Sequence, residues 1–502
     1  MIDAQTRIIR YSTINFIGWI ASIGITLLSI PFFLSKISTD EYGAWVLIGS
    51  FTGYFSLLQF GIGPAVIKFI AQFKAQNDQN EINDIINSAL IFSASVGIIG
   101  GLVLYIFSPY IVSVFHIPDR LYNQTLISFK IGAIFFPALL VSSIYVSVFI
   151  GYQNYLFSNL LNTIQIGLSA FIGIIFLEFG FGIMGLVSSS AIVDILCIGI
   201  GHYLLYKTVE RYELKFSGAF SMLRRMFGYS MYTFISQLSQ LFNMRLAEII
   251  IGIVLGPSAV TFFNIPSRLI GFFSSGASSL SAVLFPFASE LQTKSNIHQI
   301  KRVFLTATRY FSFLIVPFYF FVIVYSKLIL TSWLSPKIAE ESYALMVLCS
   351  LAYLISNMTN IPSQFLQGFG KVKLISRFSI GVLFISLITY YPLTRKMGVV
   401  GAGVALLVTQ VLGVIFIYYA LNILNVSVCE YLSTNGKPFL LGLIALIPPM
   451  LFSYLTRGYM SSYLFSTLTA FTLFSTSYIY LCISFSEIGT LAKKYYHSFS
   501  WR

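Results

Sequence analysis

Hydrophobic residues fall in long runs broken by short polar links, and the runs recur along the whole chain. A helix needs about 20 consecutive, mostly apolar residues to cross the hydrocarbon core of a bilayer. Fourteen runs meet that criterion, at 12–34, 44–67, 85–108, 124–149, 155–177, 183–205, 227–255, 263–288, 304–326, 343–366, 375–394, 399–424, 438–455 and 463–485. The thirteenth is the shortest and carries Pro448-Pro449. The pattern predicts an all-α polytopic membrane protein with about 14 transmembrane helices. No small-residue cleavage site follows the first run, so it is expected to remain as a membrane helix. The longest polar link is Lys207–Arg225, and no link is large enough for a catalytic domain. Any activity therefore lies within the membrane.

Composition agrees: 57% of the 502 residues are hydrophobic and 9% charged. A net charge of +13 suggests nucleic acid at first sight, but there is no basic domain, zinc spacing or RNA-binding aromatic motif, so that partner is set aside. Placement explains the charge instead. With the N-terminus inside, 20 of the 30 Lys and Arg fall in inner segments and 8 in outer ones. That asymmetry predicts cytoplasmic N- and C-termini, with anionic lipid as a contact. Trp45 and Trp333 fall near the outer interface, as aromatic anchors. The four cysteines have neither disulfide nor metal spacing. No nucleophile motif, phosphate-binding Gly loop or metal cluster appears, so no cofactor or metal is expected.

Charges inside the runs matter most, because they are expensive there. The seventh run holds Arg245 and Glu248, three apart, where a helix lets them meet. Thr233, Ser236, Gln237, Gln240 and Glu248 share one broad side of it, and Ile235, Phe242, Leu246 and Ile249 the other. Two readings stay open: a polar cavity wall, or an internal pair packed on a neighbour. Asp194, mid-run in the sixth, is a proton or cation site or a hydrogen-bonded packing carboxyl. Lys130 lines a cavity or snorkels to the interface, and Arg268 snorkels unless its helix faces inward. In the first run Asn15, Ser22, Thr26 and Ser29 form a stripe, and Thr52, Ser56 and Gln59 another in the second. The Ser/Gly-rich eighth run, from Ser274 to Ser281, suits close packing or cavity lining equally.

Two landmarks recur. Gly151-Tyr-Gln-Asn-Tyr-Leu-Phe-Ser158 follows the fourth run and Gly368-Phe-Gly-Lys-Val-Lys-Leu-Ile-Ser376 the tenth, their closing serines 218 residues apart. Gly182-Ile-Met-Gly185 precedes the sixth run and Gly398-Val-Val-Gly401 the twelfth, 216 apart. A duplicated six-helix unit is expected, with lobes 1–215 and 216–430 and two additional helices and a cytoplasmic tail in 431–502. Six is even, so the repeats run parallel. The same shift sets Asn15 and Ser22 of the first run against Thr233 and Gln240 of the seventh.

Tyr42-Gly43-Ala44-Trp45, then Gln59-Phe60-Gly61-Ile62-Gly63, Lys68 and an Asp-bearing inner turn, resemble the Wzx-type polysaccharide flippases. That family belongs to the superfamily that also holds the multidrug extruders and the lipid II flippase. The resemblance implies a V-shaped bundle of two lobes working by alternating access in the bacterial inner membrane. Its cargo would be an undecaprenyl-diphosphate-linked oligosaccharide, an O-antigen or capsule repeat unit, moved from the cytoplasmic to the periplasmic leaflet. Polysaccharide polymerase and chain-length regulator proteins are the partners it suggests. On this resemblance Arg245, Lys130 and Arg268 would engage the diphosphate, Gln237, Gln240 and Asn15 the saccharide, and Asp194 or Glu248 a coupling ion. A sparsely charged cavity is the departure from the family pattern.

Three rivals differ in what they need. A multidrug extruder of the same fold should prefer carboxylates, whereas mid-run cations here at least equal them. A polymerase or ligase enzyme would carry a large outer loop with catalytic Arg or His, which this chain lacks. A scaffold would tolerate loss of Arg245 and Glu248.

Overall fold

The computed structural model describes residues 2–209, 212–213, 222–226, 234, 245–281, 284–285, 288–289, 291, 297–456 and 462–485. All regular structure among them is helical. Ten of these helices are long and apolar enough to cross a membrane, or 11 if one bent pair counts as a span. Their outward faces suit lipid: α4 (Gln79–Val114) turns Ile98, Ile99, Leu102 and Ile106 outward, an apolar surface that water would penalise.

The chain packs as two units, Met1–Thr261 and Phe262–Arg502. The first holds α1 (Ile2–Lys36), α2 (Thr39–Phe55), α3 (Ile62–Ala75), α4, α5 (Asp119–Gly151), α6 (Tyr155–Glu178), α7 (Gly182–Thr208) and α8 (residues 245–255). Next comes α9 (Pro257–Ser281), which begins in the first unit and continues into the second. The second unit adds α10 (Ile297–Trp333), α11 (Pro336–Met358), α12 (Asn360–Gly368), α13 (Val372–Thr409), α14 (Val411–Ile423), α15 (Val428–Ala445), α16 (Ile447–Leu455) and α17 (Tyr463–Phe485). The expected boundary at 215/216 rests on the recurring Gly landmarks alone. Packing, by contrast, keeps α8 with the first unit.

In the first unit α4 lies directly on α5. A Cβ at Gly97 would sit 2.5 Å from the Pro137 Cα, and one at Gly101 2.4 Å from the Ala133 carbonyl oxygen. Only glycine permits that approach. One core cluster joins Ile62, Val66 and Ile70 to Ile85, Ile144, Val148 and Val193. A second joins Ala44 and Ile48 to Leu104, Phe129, Phe136 and Ile183. In the second unit α10 carries Phe313, Phe321 and Tyr325 against Leu441, Ala445, Phe474 and Tyr478. Polar ties reinforce that packing: Tyr478 donates to the Phe313 carbonyl at 2.9 Å, and Lys301 pairs with Glu430 at 2.7 Å.

The second expected span is broken rather than continuous. Phe60 (φ 48°) and Gly61 (φ 74°) are both left-handed, and they end a short 3-10 turn after α2. The chain restarts as α3 with a 46° bend. A helix cannot run through two left-handed residues.

The Gly landmarks lie at turns. Gly182 and Gly398 both have positive φ, 53° and 63°. A Cβ on Gly185 would lie 2.7 Å from the Phe176 Cβ, and one on Gly401 2.0 Å from the Leu393 carbonyl oxygen. Eight residues of continuous helix span about 12 Å, so the chain doubles back at Gly398, inside α13. The other pair matches in finer detail. Gln153 and Gly370, two residues after Gly151 and Gly368, have φ of 60° and 69°. A Cβ on Gly151 would meet the Ile67 carbonyl and Ile70 Cβ, at 3.2 and 2.9 Å; one on Gly368 would meet the Phe285 carbonyl and Ala288 Cβ, at 3.0 and 2.8 Å. Both contact pairs differ by 218 residues.

Candidate functional site

The start of α2 sets the geometry. Ser38 and Glu41 form a capping box, each side chain accepting from the other's backbone N–H. Beside them, Gly256 (φ 85°) ends α8 and Pro257 opens α9, the usual order of Gly after a helix and Pro at the start of one. A Cβ on Gly43 would sit 1.8 Å from the Pro257 carbonyl oxygen. This is the glycine of the Tyr42–Trp45 motif, and the contact explains why it carries no side chain. Asp40 accepts from Ser258 and, at 3.0 Å, from Arg120, while Thr261 donates to the Thr39 carbonyl at 2.6 Å. Gly252 of α8 leaves room for Leu47, two turns into α2, and for Phe115, either of which a Cβ would meet within 3.0 Å. These contacts lay α8 along α2.

That alignment brings Arg245 and Glu248 onto Ser50. Arg245 Nη1 donates to Glu248 Oε2 at 3.3 Å and approaches Ser50 Oγ at 3.5 Å. Ser50 donates to Glu248 and also reaches the Val46 carbonyl at 3.0 Å. The Glu248 side chain is 8% exposed and that of Arg245 38%. The carboxylate is thus buried within the pair while the guanidinium reaches outward. A Cβ on Gly53 would be 3.8 Å from Arg245 Nε, and exposed Gly49 has open space beside it. The missing side chain at Gly53 thus lets α2 come close to the Nε edge of the guanidinium.

Asp194 sits 5% exposed on α7, at a three-helix node. Its Oδ1 accepts from Gln165 of α6 at 2.7 Å and from Ser142 of α5 at 3.4 Å. No described cation pairs with it. Lys130 lies over the Tyr105 ring at 5.2 Å, between α5 and α4. Arg268 is half-buried on α9 and makes no hydrogen bond or ion pair with a described residue. The Asn15 side chain, Gln237 and Gln240 lie outside the described residues, as do Thr233 and Ser236. Among the described residues no group of three or more His, Cys, Asp or Glu could hold a metal.

Two polar stripes resolve differently than a straight helix implies. Because the helix breaks there, Gln59 turns to α5 and donates to the Leu140 carbonyl at 2.9 Å, leaving the Thr52–Ser56 face. On α9 the serines divide. Ser274 and Ser278 accept from Asn357 and Asn360 at 3.0 and 3.2 Å, whereas Ser275 and Ser279 are exposed. Asn357 also donates to the buried Tyr319 hydroxyl at 2.7 Å. Ser50, Gln165, Asn357 and Asn360 were not singled out from sequence, because neutral polar residues in apolar runs are common. His202 lies 3.3 Å from the Tyr145 hydroxyl.

Comparison with known proteins places this architecture. The chain is 20% identical to a putative O-antigen transporter of Shigella flexneri over 401 residues, 79% of this chain and 94% of that protein. Its fold is similar to that of the lipid II flippase MurJ in an inward closed conformation, with TM-score 0.72 and 16% identity over 94% of this chain and 97% of that one. It is also similar to an inward-facing multidrug resistance MATE family transporter of the MOP superfamily, with TM-score 0.68 and 15% identity over 81% and 98%. A family model described as polysaccharide biosynthesis protein matches residues 36–344, more than half of the chain. As the Tyr42–Trp45 and Gln59–Gly63 motifs led us to expect, this multi-pass membrane protein belongs to the polysaccharide biosynthesis protein family.

Proposed function

We propose that this protein is a flippase for lipid-linked oligosaccharide. It moves an undecaprenyl-diphosphate-linked O-antigen or capsule unit from the cytoplasmic to the periplasmic leaflet of the inner membrane by alternating access. The family and the Shigella relative named as an O-antigen transporter support the cargo class. The fold shared with a lipid II flippase supports the mode of action. The observation that carries the reading is Arg245, a 38% exposed guanidinium in an apolar run. A guanidinium pairs two phosphate oxygens at once.

In this reading Arg245 and Arg268 engage the diphosphate, with Lys130 a weaker contributor. Gln237, Gln240 and Asn15 serve the saccharide, and Glu248 and Asp194 couple an ion. An inside-negative potential also favours outward movement of negative charge, by about 2.3 kcal/mol per charge per 100 mV. The chain crosses the membrane fourteen times with both termini cytoplasmic. Two six-helix repeats precede two further helices, a layout supported by the turn contacts that recur 218 residues apart. Polymerase and chain-length regulator proteins act with it. The multidrug-transporter fold keeps an extruder as the second reading, but the exposed charge of the Arg245–Glu248 pair is cationic, which suits an anion.

The test is in cells lacking the protein. Prenyl-diphosphate saccharide should accumulate on the inner leaflet, relieved by wild type but not by Arg245→Ala, which should still insert. Normal delivery to the outer leaflet in those cells, with no second transporter present, would sink the flippase reading. Full activity of Arg245→Ala would remove that residue from the site.

A further inference from the structure

We propose that the helices after α14 brace two proline breaks in the second unit. The hydroxyls of Tyr478 on α17 and Tyr431 on α15 replace the main-chain donors that Pro317 and Pro362 lack. α10 and the α11–α12 segment then change shape at those breaks only when a brace hydroxyl lets go. This goes beyond the flippase reading and does not depend on the cargo.

A proline has no N–H, so within a helix it leaves the carbonyl four residues earlier without its usual donor. Pro317 lies inside α10 and does this to the Phe313 carbonyl. Pro362 lies in α12, just past the break at Thr359, and does it to the Met358 carbonyl at the end of α11. Each of these two carbonyls accepts from a tyrosine. Tyr478 donates to Phe313 at 2.9 Å, and Tyr431 to Met358 at 3.4 Å, a longer and weaker bond. Both tyrosines are buried. Phe313 falls near the middle of the 37-residue α10, where hydrocarbon offers no water to take the missing donor's place. Pro109 of α4 shows the local alternative: the Tyr105 carbonyl, four residues before it, takes the hydroxyl of Ser108 at 2.8 Å. The second unit instead draws its donors from 165 and 73 residues away.

The brace is itself fixed to α10. α15 opens with a capping box of Ser427 and Glu430, and Glu430 also pairs with Lys301 of α10 at 2.7 Å. One turn beyond Tyr431, Asn435 donates to the Tyr431 carbonyl at 2.9 Å and accepts from Ser312, the residue before Phe313. The two breaks also flank one polar contact. Tyr319 follows Pro317 by two residues, and Asn357 immediately precedes Met358. Asn357 donates to the Tyr319 hydroxyl at 2.7 Å and to Ser274 Oγ of α9 at 3.0 Å. A change of shape at either break therefore moves one partner of the bonds that join α9, α10 and α11. Proline is where a helix bends most readily, and here the donor that steadies each bend belongs to a different helix.

The test uses the purified full-length protein in detergent, with double-mutant cycles and hydrogen–deuterium exchange. Tyr478→Phe removes one hydroxyl. It should lower the unfolding midpoint and speed amide exchange in α10 around Pro317, while α5, α6 and α7 exchange as in wild type. Pro317→Ala restores the missing N–H, so in that background Tyr478→Phe should change neither quantity. Tyr431→Phe should act in the same way on α11–α12, more weakly, and be silenced by Pro362→Ala. Tyr325→Phe is the control: it removes a buried hydroxyl of the same cluster that faces Ser453 rather than a carbonyl. Its effect should be equal with and without Pro317→Ala. If Tyr478→Phe lowers the midpoint as much beside Pro317→Ala as alone, or leaves exchange around Pro317 at the wild-type rate, the brace is overturned. Should Pro317→Ala not fold, the exchange pattern of Tyr478→Phe alone decides the matter.

Discussion

Arg245 and Glu248 show how a charge inside an apolar run acquires meaning from one neighbour. Alone on a helix, residues three apart form a surface pair of small worth. Against Ser50 the carboxylate becomes buried, while the guanidinium keeps 38% of its surface exposed. Asp194 differs, because no described cation answers it and both of its hydrogen bonds are neutral donors. If Asp194 is an ion site, Asp194→Asn should stay within about 1 kcal/mol of wild type in thermal unfolding, since an amide oxygen still accepts from Gln165. Gradient-driven transport in vesicles should nevertheless fall by an order of magnitude. An unchanged rate would leave Asp194 a packing carboxyl. The charged candidates stood out in the sequence because they interrupt hydropathy. Ser50 and Gln165 did not, since their roles exist only through a residue far along the chain.

At the scale of elements, the runs gave the helices and the glycines gave the breaks. Expected spans four, five and six match α5, α6 and α7 to within a few residues. The second span did not read as broken, because Gln59-Phe60-Gly61 is as apolar as its surroundings and only backbone φ reveals the stop. Gly398 isolates the conformational effect, since a Cβ there meets nothing within 4 Å. Gly398→Ala should therefore cost about 1–3 kcal/mol through its backbone conformation alone (φ 63°, ψ −146°), a region essentially confined to glycine, measured as a lower unfolding midpoint in detergent. Gly401→Ala should cost more, because its Cβ would overlap the Leu393 carbonyl. Equal loss at the two sites would refute the separation of strain from crowding.

For the whole molecule, orientation is the quantity that charge placement predicts and helix packing does not. Cys429 offers a native reporter: it is the exposed one of the four free cysteines, while Cys197, Cys349 and Cys482 are buried. It follows the twelfth expected span, so with a cytoplasmic N-terminus it faces the cytoplasm. A membrane-impermeant maleimide should label inside-out vesicles well above right-side-out ones, and Cys429→Ser should remove the signal. The reverse preference would invert the topology and, with it, the direction assigned to transport.

The sequence by itself determined that the chain is helical and membrane-embedded, and it marked the charges on which a site could be built. Hydropathy suffices for that, because the bilayer demands long apolar helices whatever their neighbours. It also exposed the two turn landmarks, since a left-handed turn or a close backbone approach selects glycine locally. Tertiary structure alone decided that Arg245 and Glu248 meet Ser50, that Gln59 turns to α5, and that Ser274 and Ser278 of α9 bond to Asn357 and Asn360. Helix–helix register carries no local signature: a neutral side chain in an apolar run costs little until a partner arrives, and that partner is brought by packing.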